Sequence, residues 1–367
     1  MNNKKVLCVV GTRPEAIKMA PVILSLKREP WANVRVLATA QHRHMLDQVL
    51  NFFNIEPDID LDIMRPNQAL ATLTARLLLD LDDALQAEKP DVVLVQGDTT
   101  TVMSVALASF YHRIPIGHIE AGLRTWDTLN PFPEEANRVI AGRLSCWHFA
   151  PTESSRQNLL REGIADKDIV VTGNTVIDAL LMTAEKDPEL DIELDSEKRL
   201  VLITSHRREN FGEPFRNICR AIYKLAMQNK DVQFLYPVHP NPNVKDVAHE
   251  VLRSCPNIHL CQPLDYAPFV AAMKQSYLII SDSGGVQEEA PALGKPVIVL
   301  RDETERPEAV EQGVVKLVGP NYDRIVEETQ RLLDDDSAYR AMALGISPYG
   351  DGHAAERIVK VLREYFV

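Results

Sequence analysis

The chain has 367 residues, 45% hydrophobic and 25% charged, with a formal net charge of −12. This is ordinary globular composition with length enough for two domains, and its acidity argues against non-specific binding to nucleic acid or anionic membranes. The five cysteines (Cys8, Cys146, Cys219, Cys255, Cys261) show no C-x-x-C or Cys/His zinc spacing, which predicts reduced thiols, no metal and a cytoplasmic protein.

Short β-branched runs alternate with helical stretches along the chain. Strands are expected at Val6–Val10, Val34–Thr39, Val92–Gln96, Ile114–Ile119, Cys146–Ala150 and Ile169–Thr172. After a break they resume at Leu200–Thr204, Val232–Pro237, Ile258–Cys261, Leu278–Ser281, Val297–Leu300 and Val315–Val318. Amphipathic helices such as Pro14–Arg28, Ala69–Ala87 and Arg324–Asp334 lie between them. Continuous apolar strands separated by helices imply an α/β fold with parallel sheets covered on both faces. The pattern suits two Rossmann-like, doubly wound domains at 1–174 and 175–350, with a cleft between them as the default ligand site. A final amphipathic helix in 351–367 is expected to pack back on the first domain. Apolar runs such as Tyr277–Ile280 are strand-length, far below the ~20 residues of a membrane helix. The start Met-Asn-Asn-Lys-Lys lacks a signal-peptide cleavage pattern.

The first strand runs into Gly11-Thr12-Arg13-Pro14-Glu15, with no G-x-G-x-x-G and no G-K-[ST]. Thr12, Pro14 and Glu15 read as helix initiation through an S/T-x-x-E capping box. Arg13 opposes the helix dipole, and with free backbone N–H groups it points to a bound diphosphate. Lys18, one turn on, either lines the cleft or is solvated.

The third strand ends in Gln96-Gly-Asp98-Thr-Thr-Thr101, where Asp98 either caps a helix or acts as an acid or base. The next ends in Gly117-His-Ile-Glu120-Ala-Gly-Leu-Arg124. A carboxylate at Glu120 needs a partner, and Arg124 or His118 could supply one. In Asn130–Arg138, Glu134 or Glu135 can be a first-turn helix acid. Three carboxylates at successive strand or loop ends outweigh any one of them.

In the second half, Thr204-Ser-His206-Arg207-Arg208-Glu-Asn210 concentrates positive charge at a strand end, and a later strand ends at His239. Ser283, Gly284 and Gly285 form a small-residue turn opening a helix, which can cradle phosphate through backbone N–H groups. Glu288 and Glu289 follow, placed for ribose hydroxyls. These parts suit either glycosyl transfer from a nucleotide sugar or rearrangement of the sugar itself. Inverting carbon 2 without NAD is feasible by eliminating the nucleoside diphosphate and adding it back on the opposite face.

Taken together the motifs resemble a known family. Gly11-Thr-Arg-Pro-Glu-Ala-Ile-Lys18, Thr39-Ala-Gln-His-Arg43, Gln96-Gly-Asp-Thr-Thr100, His118-Ile-Glu-Ala-Gly-Leu-Arg124 and Pro133-Glu-Glu-Ala-Asn-Arg138 occur in order. They are followed by Gly173-Asn-Thr-Val-Ile-Asp178, His206-Arg-Arg-Glu-Asn210, Tyr236-Pro-Val-His-Pro-Asn241, Asp282-Ser-Gly-Gly-Val-Gln-Glu-Glu-Ala-Pro291 and Thr304-Glu-Arg-Pro-Glu308. The chain closely resembles the bacterial non-hydrolysing UDP-N-acetylglucosamine 2-epimerases over nearly its whole length.

The resemblance implies a glycosyltransferase-B type fold, a homodimer, no cofactor, and interconversion of UDP-GlcNAc and UDP-ManNAc for surface polysaccharide. It implies that Arg13, His206, Ser283, Gly284 and Gly285 hold the diphosphate and Glu289 the ribose. Lys18, Asp98, Glu120 and Glu134 would surround the sugar and, with His206, include the catalytic groups. It further implies an activator site for a second UDP-GlcNAc at Gln41, His44, Gln68, Glu134, Arg207 and His239; His44 departs from the glutamine usual there. Alternatives are a hydrolysing 2-epimerase, a 2-epimerase for another UDP-2-acetamido sugar, a glycosyltransferase of the same fold, and a non-catalytic nucleotide-sugar sensor.

Overall fold

Apolar runs that read the same on both faces form central strands, because helices cover each side of a parallel sheet. The structure is a computed structural model and describes residues 3–39, 43–63, 65 and 68–367, with Arg43 and His44 described by backbone alone. The first sheet contains β1 (Lys4–Val10), β2 (Ala32–Ala38), β3 (Ile59–Asp60), β4 (Val92–Gln96), β5 (Ile116–Ile119), β6 (Trp147–Ala150) and β7 (Ile169–Val171). Its order is β3-β2-β1-β4-β5-β6-β7, all parallel. The second contains β8 (Arg199–Thr204), β9 (Val232–Pro237), β10 (Ile258–Cys261), β11 (Leu278–Ser281), β12 (Val297–Val299) and β13 (Val315–Leu317). These strands are also parallel, in the order β10-β9-β8-β11-β12-β13.

All twelve expected strands form. The addition is β3, paired only at Leu37↔Ile59 and Ala38↔Asp60; two residues carry no readable periodicity. Both sheets reverse direction between their first and fourth strands, β1/β4 and β8/β11. At such a switch point the helices leave to opposite faces and open a crevice beyond the strand ends.

Alternation along the strands divides each sheet's core. Leu7 and Val9 of β1 and Val93 and Val95 of β4 share a cluster with Leu73, Leu77, Leu81 and Leu85. Those four leucines recur every four residues along the helix Leu70–Glu88 and form its buried stripe. In the second unit Val201, Ile203, Phe234, Tyr236, Leu278 and Ile280 pack with Phe215, Ile218, Ile222 and Leu225 of the helix Glu213–Gln228.

The chain separates into two compact units, Met1–Met182 with Tyr349–Val367, and Thr183–Pro348. The first division therefore falls inside the helix Thr175–Glu185 rather than before it at residue 174. Asp178 of that helix accounts for the placement. Its carboxylate is buried and accepts hydrogen bonds from Ala354 N at 3.2 Å and Ala355 N at 2.8 Å. It thus caps the helix Ala354–Phe366, which packs on the helix Arg13–Lys27. Asp178→Ala should destabilise the chain by about 1–2 kcal/mol in urea denaturation, whereas Asp178→Asn, which keeps an acceptor, should recover most of the loss. Equal stability of wild type and the alanine variant would mean that the cap does not hold the terminal helix.

Candidate active site

In the first unit the switch point is built around the turn after β1. Thr12 is the N-cap of Arg13–Lys27, and its Oγ1 accepts from Glu15 N at 3.5 Å. Glu15 Oε2 reaches back to Gly11 N at 2.5 Å and Thr12 N at 2.9 Å, completing the expected capping box. Gly11 is required by packing, because a Cβ there would lie 2.7 Å from both Thr39 Oγ1 and Thr101 Oγ1. Arg13 has no hydrogen-bond or ion-pair partner among the described residues. A cation left unpaired at a helix start is suited to an anion that supplies the missing charge.

Glu120 follows β5 directly, in the left-handed region at φ 63°. Non-glycine residues hold that conformation where surrounding structure imposes it, often at functional sites. Its carboxylate forms an ion pair with Lys18 and accepts from Gln96 Nε2 at 3.1 Å. Neither expected partner bonds it. Arg124 instead makes a bidentate pair with Glu162, at 2.7 and 2.8 Å. His118 Nε2 lies 2.7 Å from the Gly97 carbonyl oxygen. That oxygen can only accept, so Nε2 carries the proton and Nδ1, which has no partner among the described residues, is bare. Burial pushes His118 down to about 4, so the ring is neutral.

Asp98 is not a helix cap. Thr99 caps Thr100–Tyr111, its Oγ1 accepting from Val102 N at 3.4 Å. Asp98 Oδ2 instead receives Arg138 Nε at 2.9 Å and Nη2 at 2.7 Å, and its carbonyl oxygen receives Asn137 Nδ2 at 2.9 Å. The helix Glu134–Leu144 thus grips the Asp98 turn. Of its two leading acids, Glu135 is the buried one: Oε1 accepts from Thr125 N and Trp126 N at 3.0 Å each, and Oε2 from Arg138 at 2.9 Å. Glu134 is partly buried and has no polar partner among the described residues. Two separate ion-pair groups thus stand beyond β4 and β5, Asp98 with Arg138 and Glu135, and Glu120 with Lys18 and Gln96, while Glu134 opens the helix that carries Arg138.

In the second unit the organising group is Asp282, fully buried after β11. Its carboxylate accepts from Ser205 Oγ at 2.9 Å, His206 N at 2.9 Å, Arg207 N at 3.0 Å and Asn210 Nδ2 at 3.3 Å. Four donors repay the burial of one charge and fix the turn after β8. His206 lies on that turn, stacked on His239 with ring centroids 5.5 Å apart. Burial lowers His206 below the ordinary imidazole value; Asp282 opposes this, while His239 and Arg207 add to it.

Ser283 N donates to Ser281 Oγ at 2.9 Å and precedes the helix Gly284–Ala292, whose N-cap makes no side-chain bond. Its first amides are therefore left for another acceptor. A Cβ on Gly284 would meet nothing closer than Arg207 Nη2 at 3.7 Å, and one on Gly285 nothing closer than Ser283 Oγ at 3.8 Å. Both are ordinary contacts, and neither glycine has positive φ. Packing does not demand them, and without side chains they leave the helix amides open to close approach. Glu288 pairs with Arg306, and Glu289 is buried in the next position of the helix. Arg301 joins Glu209 at 2.7 Å to Glu305 at 3.0 Å and holds the Glu305 carboxyl down to about 2.

The remaining candidates are spread over both units. Gln68 Oε1 accepts from Arg65 N at 3.2 Å and its Nε2 donates to Ile63 O at 3.4 Å, so it fastens its own loop. His239 Nδ1 accepts from Asn241 N at 3.2 Å. Gln41 and the His44 side chain lie outside the described residues.

The family model for UDP-N-acetylglucosamine 2-epimerase matches residues 24–363. This chain belongs to the UDP-N-acetylglucosamine 2-epimerase family. Relatives of that name from Yersinia pestis and Escherichia coli K12 are 54% and 53% identical, over 99% and 98% of both chains. The crystal structure of UDP-GlcNAc 2-epimerase from Neisseria meningitidis bound to UDP-GlcNAc is 51% identical. It covers 98% of this chain and 100% of its own, with a TM-score of 0.89. A kitacinnamycin glycotransferase superposes with a TM-score of 0.69 over the full length of both chains at 12% identity, a likeness of fold alone.

The 2-epimerase motifs flag the reactive-looking groups and miss those that hold them. Arg138, Glu135 and Asp282 stand inside or beside quoted motifs, yet their work is visible only through partners up to 77 residues away, as in Ser205–Asp282. Asp282→Ala should strand the Ser205–Arg207 donors, costing more than about 2 kcal/mol of stability and weakening UDP binding in calorimetry; unchanged UDP affinity in a folded variant would refute that role. His118 and His148 are both buried, with pKa values pushed down to about 4 from 6.5. Unfolding therefore takes up protons between those values, and stability should fall as pH drops from 6.5 through 4. His148→Gln, which cannot titrate, should flatten that slope in denaturation midpoints measured at pH 7 and pH 5.

Proposed function

We propose that this protein reversibly epimerises carbon 2 of UDP-GlcNAc to give UDP-ManNAc, without net hydrolysis. The observation that carries this reading is the group of carboxylates on the segments following β4 and β5, in which Glu120 is held by Lys18, Asp98 by Arg138, and Glu134 by no described partner. Reaction begins when a carboxylate takes the proton from carbon 2 while the anomeric C–O bond breaks and UDP departs. The resulting 2-acetamidoglucal is reprotonated at carbon 2 from the opposite face, and UDP adds back at the anomeric carbon. The atoms balance with no water and no redox cofactor, in keeping with the absence of a dinucleotide fingerprint from the sequence.

Charge develops on the leaving diphosphate, where preorganised donors are most effective. We assign Arg13, His206, Ser283 and the amides of Gly284 and Gly285 to the diphosphate, and Glu289 to the ribose. A carboxylate already paired with a cation is a weaker base than an unpaired one. Glu134 is therefore assigned the proton transfer at carbon 2, while Asp98, Glu120 and Lys18 orient the sugar and serve the opposite face.

The same reading includes an activator role for UDP-GlcNAc at Gln41, His44, Gln68, Glu134, Arg207 and His239, a cytoplasmic setting, and a product destined for surface polysaccharide. It also includes a homodimer. Support for self-association comes from Leu79, Phe110 and Tyr111, which are 69%, 56% and 68% exposed on two helices that pack together.

In D2O, wild-type protein given UDP-GlcNAc alone should yield UDP-ManNAc with deuterium at carbon 2 by NMR. Accumulation of free ManNAc and UDP would assign the hydrolysing reaction instead, and turnover only with a sugar acceptor would assign glycosyl transfer. Glu134→Gln should lower kcat by about 100-fold or more with UDP affinity nearly unchanged. Arg13→Ala should weaken UDP binding and also slow turnover, and unchanged calorimetric affinity would remove Arg13 from the diphosphate.

A further inference from the structure

We infer that Glu15 is a positioning residue for this reaction, its buried carboxylate tying the turn that carries Arg13 to the turn that carries Asp98. The inference rests on the epimerase reading above. A capping-box glutamate needs only to reach back to its own N-cap, and such residues ordinarily sit at the surface. Glu15 is 3% exposed and does more. Through Oε2 it accepts from Gly11 N at 2.5 Å and Thr12 N at 2.9 Å; through Oε1 it accepts from Thr99 Oγ1 at 2.5 Å. One carboxylate thus spans the turns following β1 and β4, the two strands that flank the switch point.

The surroundings leave the joint little play. Gly11 is wedged against Thr39 and Thr101, whose hydroxyls lie 3.3 Å apart. Thr99 is also the N-cap of the helix that begins after Asp98, so a shift of the Glu15 carboxylate moves both helix starts. Arg13 follows Thr12 and Asp98 precedes Thr99, which makes each of the proposed groups a chain neighbour of a Glu15 donor. Burial lifts the Glu15 carboxyl to about 7; the Thr99, Gly11 and Thr12 hydrogen bonds oppose this, and the Asp98 charge adds to it. The joint survives either protonation state. The anion accepts from the Thr99 hydroxyl, and the acid donates to it.

A glutamine at this position presents the same pattern, its Oε1 accepting from the two amides and its Nε2 donating to Thr99 Oγ1. The test compares four variants with wild type in steady-state epimerisation and in calorimetric UDP binding. Glu15→Ala and Thr99→Val, which break the joint from opposite ends, should each lower kcat by about 10–100-fold, with UDP affinity changed less than about threefold. Glu15→Gln and Thr99→Ser, which keep the bridging hydrogen bond, should stay within about threefold of wild-type kcat. A merely structural cap would lower the denaturation midpoint without lowering kcat at unchanged UDP affinity, so that split is the deciding readout. If Glu15→Ala fails to fold, Thr99→Val still decides, because it leaves the Thr12–Glu15 capping box intact, and a fifth variant, Thr99→Asn, which can restore the cap on Thr100–Tyr111, separates loss of that cap from loss of the joint. Normal kcat in Thr99→Val overturns the inference, as does loss of kcat in Glu15→Gln equal to that in Glu15→Ala. A wild-type protein that forms no UDP-ManNAc overturns the reaction itself, a result distinct from an active wild type with active joint-breaking variants.

Discussion

In each unit one buried carboxylate ties together the two turns at the switch point. In the second unit Asp282, after the unit's fourth strand in chain order, gathers Ser205, His206 and Arg207 from the turn after its first strand. In the first unit the direction is reversed: Glu15, after the first strand, gathers Thr99 from the turn after the fourth. A doubly wound sheet opens its crevice at this place, and the amides and hydroxyls lining it would otherwise face it unsatisfied. A carboxylate, with two acceptor oxygens, satisfies several at once. The crevice walls are therefore fixed by hydrogen bonds to these carboxylates, which leaves them polar and open to a polar ligand.

The fold was legible in the sequence because parallel strands buried on both faces appear as uninterrupted apolar runs, and twelve of them were read that way. What escaped was decided by pairing. The two residues of β3 owe their conformation to Leu37 and Ala38. The division within Thr175–Glu185 owes its place to a carboxylate that bonds amides 176 and 177 residues further on.

The candidate site was legible as a roster of charged residues at strand ends. Their roles were less so, because a side chain at a strand end has several partners within reach. Glu120 takes Lys18 rather than Arg124 or His118, since Arg124 is engaged by Glu162 and His118 by the Gly97 carbonyl. Asp98 takes Arg138, since Thr99 already caps the helix. Glu134 and Glu135 are adjacent in sequence yet opposite in circumstance, one without a described partner and one committed to Thr125, Trp126 and Arg138. A helix turns about 100° per residue, so neighbours point to different surroundings, and no local pattern says which faces which.

The glycines at Gly284 and Gly285 carry a thermodynamic consequence. Each gives the unfolded chain freedom that an alanine would not, and nothing in the folded unit requires either. An alanine at either position should make the free protein more stable, by about 0.4–1 kcal/mol each. The bare helix start is therefore a place where the chain keeps a less durable folded state in exchange for a surface without side chains. Selection for heat resistance alone would erase it first.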